Sequence, residues 1–161
     1  MEFDDRLQRA IERGRATREE AGRATAEREM SVEDLKSVHS RCRLELVERI
    51  ENCLKKLADH FPGFRYSPQM NESGWGATIS RDDISVSRDR STSSLYSRLE
   101  VTVSPFGSAA IIELVAKGAI RNKEVFHRRN FQQLSQVDLD SFSELIDLWV
   151  LEYAELYAAG S

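Results

Sequence analysis

Between residues 35 and 61, apolar side chains recur at three- and four-residue intervals: Leu35, Val38, Cys42, Leu46, Ile50, Leu54, Leu57 and Phe61. That spacing lines one face of an α-helix, because about 3.6 residues complete a turn. Ser31 followed by Glu33 and Asp34 supplies an N-cap and an acidic first turn, and Pro62-Gly63 supplies the stop. A second run with this spacing closes the sequence: Leu139, Phe142, Leu145, Ile146, Trp149, Tyr153, Leu156 and Tyr157, with Ser135 or Asp138 as its cap. Leu148, Val150 and Leu151 widen its apolar arc beyond one stripe, so this helix is expected to be covered on two sides or to meet another subunit.

Between these helices the period drops to two. Phe64 and Tyr66 begin a short extended piece interrupted by Pro68; Trp75, Ala77 and Ile79 alternate with Gly76, Thr78 and Ser80; Leu99, Val101 and Val103 alternate with Glu100, Thr102 and Ser104. Arg81-Asp-Asp83 reads as a hairpin turn into Ile84 and Val86, residues 88–94 as a loop, Pro105-Phe-Gly107 as a turn, and Gly118 as a turn between two further strands. Arg121, Lys123, Arg128 and Arg129 break the apolar face of the last strand, as suits a sheet edge. Short connections favour an antiparallel meander over crossovers. The expected fold is α+β: about five antiparallel strands covered by a long N-terminal-half helix and a C-terminal helix. Residues 1–30 form a charged helical arm and residues 31–161 the globular domain. A helix, an antiparallel sheet and an acidic amphipathic helix in a small acidic chain are similar in architecture to secretion-chaperone-like folds. No residue motif of that family occurs here, and its usual order places a helix between the strands.

The arm has little to bury. Phe3, Leu7 and Ile11 make one short stripe, after which the seam continues through Gly14, Thr17, Ala21 and Ala24. Residues 1–29 hold seven arginines against eight acids and no lysine, with opposite charges recurring at helical spacing, as in Glu2/Arg6 and Asp5/Arg9. Each such pair contributes only a few tenths of a kcal/mol, and Gly14 and Gly22 each cost about 1 kcal/mol relative to Ala. Such a helix needs a partner.

Composition narrows the function classes. Hydrophobic residues make up 40% and charged residues 31% of 161 positions, with a net charge of −4. The apolar runs are too short to span a bilayer, and the acidic start differs from the basic-then-apolar pattern of a signal peptide, so a cytoplasmic protein is expected. Cys42 and Cys53 lie about three helical turns apart, too far for a disulfide or a shared metal. His39 and Cys42 share a helix face without a third ligand. No phosphate-binding glycine loop or nucleophile elbow occurs.

The expectation is therefore a non-enzymatic interaction, scaffold or chaperone-like adaptor domain, with no cofactor, metal or membrane. It would self-associate, as a homodimer or other homo-oligomer, through the arm and the C-terminal helix. Candidate contact residues are Phe3, Leu7, Ile11, Ala21, Trp75, Trp149, Tyr153 and Tyr157, with Trp75 singled out by its flanking glycines. Lys123, His127, Arg128 and Arg129 form a candidate anion patch. The alternative is a small-ligand binder or enzyme with a sheet–helix cavity lined by His127, Tyr153 or Tyr157. A third reading is nucleic-acid binding through Arg81, Arg88, Arg90 and Arg98, weakened by sparse aromatics and overall acidity.

Overall fold

In a computed structural model the chain is described at residues 2–28, 31–86 and 92–160, with side chains 23–28, 85, 86 and 93 outside the description. It forms two compact units, Met1–Leu35 and Lys36–Ser161, a division five residues beyond the boundary expected from the sequence. Ala24, Arg88 and Arg90 lie outside the described side chains.

The first unit contains helix α1 (Glu2–Arg28), with Glu2, Asp4 and Asp5 in the first turn, where they favour the positive end of the helix dipole. It also holds the start of α2 (Val32–His60). Ser31 caps that start: its hydroxyl accepts from the Asp34 N–H at 3.1 Å and its carbonyl from Leu35 at 3.0 Å.

The second unit is α+β. Strands β1 (Arg65–Asn71), β2 (Gly74–Val86), β3 (Thr92–Val103), β4 (Ile111–Ile120) and β5 (Lys123–Gln133) pair antiparallel in sequence order, followed by helix α3 (Leu139–Ala158). β1 and β5 are the edges, so Pro68 sits where a missing N–H is tolerated and the charges of β5 fall on an edge. The register puts Tyr66, Ile79, Leu99 and Gly118 on one face, with Ala77, Val101 and Ala116 one step along. Apart from half-buried Tyr66, these inward positions, with Val103, Ile112, Leu114 and Ile120, are buried. Cys42, Leu46, Ile50, Leu54 and Leu57 of α2 and Phe142, Ile146, Trp149 and Tyr153 of α3 complete the core.

Three local expectations are corrected. Arg81-Asp-Asp83 is not a turn: β2 runs through it and stays paired to β3 as far as Val86↔Thr92. Of the loop expected at 88–94, residues 92–94 belong instead to β3, and 88–91 lie outside the described residues. Gly118 is also within a strand. A Cβ there would stand 3.1 Å from the Tyr153 ring and 3.2 Å from Phe126, so glycine leaves room for α3 to settle on the sheet. The turn falls instead at Arg121 and Asn122, both at positive φ, where Asn122 ties back to β3 through Tyr96 and Ser94. Of the two cap candidates, Ser135 and Asp138, the structure uses Asp138, which accepts from the Asp140 and Ser141 amides.

Candidate functional site

α2 and α3 run side by side over the sheet and leave an open groove of about 900 Å³ between them. Its lining includes buried Leu57 and Val150, with Phe61, Ala154 and Leu151 beside them. Arg49, Lys56 and His60 line the α2 side, and Asp147 and Glu155 the α3 side.

One end is clasped. Arg49 holds Asp147 in a bidentate ion pair, Nε to Oδ1 at 3.0 Å and Nη2 to Oδ2, and the Cys53 thiol donates to Asp147 Oδ1 at 3.3 Å. The Arg49 hydrogen bonds hold the Asp147 carboxyl below the usual carboxylate range. Burial, and then the adjoining carboxylate, push the Cys53 thiol up to about 11. A thiol protonated at neutral pH is the reverse of an activated nucleophile, and Asp147 is already engaged by a guanidinium. Among the described residues, no cluster of three or more His, Cys, Asp or Glu is placed to hold a metal.

The aromatic candidates are distributed differently. Trp149 and Tyr153 are buried, and the Tyr153 hydroxyl donates to the Ala119 carbonyl at 2.9 Å. Tyr157 is half-buried, edge-on to Phe61 and Phe64 at 4.8 and 5.0 Å, and its hydroxyl accepts from Arg81 at 3.1 Å. Trp75 is half-buried beneath the Arg43 guanidinium, 3.3 Å from the ring centre. A Cβ at Gly76 would run into the Val101 carbonyl, so that flanking glycine serves close strand approach. The outward apolar residues of α3 are instead Leu148 and Leu151, 60% and 64% exposed. The widened arc of the sequence pattern signals them; Val150, from the same arc, is buried.

The candidate anion residues are split. His127 lies opposite Lys117, and Arg129 opposite Val115, on the sheet face away from the helices. Arg128, on the helix side of β5, is paired with Glu152 at 2.9 Å, and Lys123 begins the strand. His127 therefore does not converge with Tyr153 or Tyr157, and the three do not line one cavity. Arg81 pairs with Asp83 at 2.9 Å, and Arg98 stands 3.8 Å from Glu100. His39 is buried, with Nε2 against the Ser104 carbonyl at 3.1 Å and its ring edge-on to Phe106. Burial lowers its pKa.

The other candidate surface is α1. Every side chain described along it, residues 2–22, is exposed. Phe3 is 72%, Leu7 45% and Ile11 47% accessible. Among the described residues, no helix is long and apolar enough to cross a membrane. No family model, curated protein or solved structure matches this chain.

Proposed function

We propose that this chain is a non-enzymatic protein-interaction module that self-associates, with α1 as its principal contact element and the exposed side of α3 as a second. The observation that carries the reading is the 27-residue helix α1, along which no described side chain is buried. An isolated helix whose interior positions include Gly14 and Gly22 is marginal in water, and an exposed Phe3–Leu7–Ile11 stripe gains stability only when another surface covers it. The α2–α3 groove, with exposed Leu151 at its side and charges of both signs, supports the second contact. Cys53 and Asp147, being respectively protonated and ion-paired, argue against catalysis in that groove.

Sedimentation of the full chain across micromolar concentrations tests this. Mass that rises with concentration, and falls on deleting residues 1–30, supports the module. A strict monomer unaffected by that deletion contradicts it.

A further inference from the structure

Resting on that reading, we infer that the occupant of the α1 stripe is α1 of a second copy, lying antiparallel. The seam Phe3, Leu7, Ala10, Gly14, Thr17, Ala21 repeats at intervals of four and three, the spacing of a two-helix coiled coil. The Thr17 hydroxyl is turned onto its own helix, donating to the Arg13 carbonyl at 2.9 Å, which leaves its methyl to the seam. Small residues in the middle of the seam let two axes approach to the short end of the usual range, about 8 Å.

The charges beside the seam choose the direction. One flank carries Arg6, Arg13 and Glu20, and the other Asp4, Ile11 and Arg18. Parallel helices bring opposite flanks together, setting Arg13 against Arg18 of the second copy. Antiparallel helices bring like flanks together. With Gly14 opposite Thr17 and Ala10 opposite Ala21, Arg13 then faces Glu20 and, by symmetry, Glu20 faces Arg13. The other flank lays the Arg18 stem along Ile11, covering apolar surface while its charge stays wet. Arg13 has no carboxylate one turn away in its own helix, since positions 9, 10, 16 and 17 are Arg, Ala, Ala and Thr. Its complement is supplied by the second copy.

The test uses the full-length chain with Arg13→Glu, Glu20→Arg and the double exchange, at low salt. Each single variant turns two attractions into two repulsions and is expected to weaken dimerisation about tenfold. The double exchange restores it, and an equimolar mixture of the single variants gives heterodimers tighter than either homodimer. Tighter association of Arg13→Glu would overturn the direction in favour of parallel helices. Dimerisation indifferent to all three variants would overturn the α1 pairing while leaving self-association standing, and a monomeric unmodified chain would remove both. Thermal unfolding of the sheet unit, expected to be identical in all variants, shows that each chain is folded.

Discussion

Both units contain a long amphipathic helix, yet one closes a core and the other leaves every described side chain of α1 exposed. In the second unit, apolar positions of α2 and α3 fall on a face matched by alternate residues of five strands, so Ile50, Leu54, Val101, Leu114, Phe142 and Tyr153 are all fully buried or nearly so. In the first, the α1 stripe holds three large residues and then runs into Gly14, Thr17 and Ala21. Helical spacing alone does not create stability. The number and size of the side chains on the seam decide whether a helix is held by its own chain or by association.

The largest effect separates the units directly. Phe142→Ala empties a fully buried site and is expected to cost about 3–5 kcal/mol in denaturant unfolding of the sheet unit. Leu7→Ala is expected to leave that transition within about 0.5 kcal/mol and to weaken association instead. Equal losses in the sheet unit would break the comparison.

Next in size is Gly22→Ala. A Cβ there meets nothing within 4 Å, and the position lies off the seam. The exchange is expected to favour helix in α1 by about 1 kcal/mol, read as higher helicity in dilute solution with no shift in unfolding of the sheet unit. Unchanged helicity would mean that α1 is already fully held.

The smallest effect is a pH dependence confined to the sheet unit. His39 is buried and its pKa lies below its ordinary 6.5, so the unfolded chain binds the proton more readily. Its contribution is therefore complete above that ordinary value and is lost as pH falls through the depressed one. His39→Gln is expected to flatten the unfolding free energy of the sheet unit over this window, leaving the deeper acid loss that arises as Asp147 protonates. An unaltered slope would place the titration elsewhere.

What the sequence made legible follows from the range of the interactions. The seams of α2 and α3, the Ser31 cap and the alternation of β3 are local patterns, and they predict the α+β meander correctly. Gly118 and Arg81-Asp-Asp83 carry ordinary turn chemistry, but tertiary neighbours decide them: Tyr153 needs the space at Gly118, and β3 extends the pairing past Asp83. Arg121 and Asn122 hold a tight turn without glycine because Asn122 bonds back to Ser94 and Tyr96, which no local rule anticipates. The clasp of Arg49, Cys53 and Asp147 joins positions 94 and 98 residues apart, so it left no mark on either segment. Leu148 and Leu151 were visible as a widened arc, but which side of that arc faced outward required the sheet.

Hydrogen exchange of the full-length chain over a range of protein concentrations tests most directly that α1 is held by association. Amide protection across residues 2–28 is expected to rise with concentration, in step with the mass from sedimentation, while protection in β3, β4 and α3 stays constant. Protection of α1 that is already complete where the chain sediments as a monomer would contradict the account.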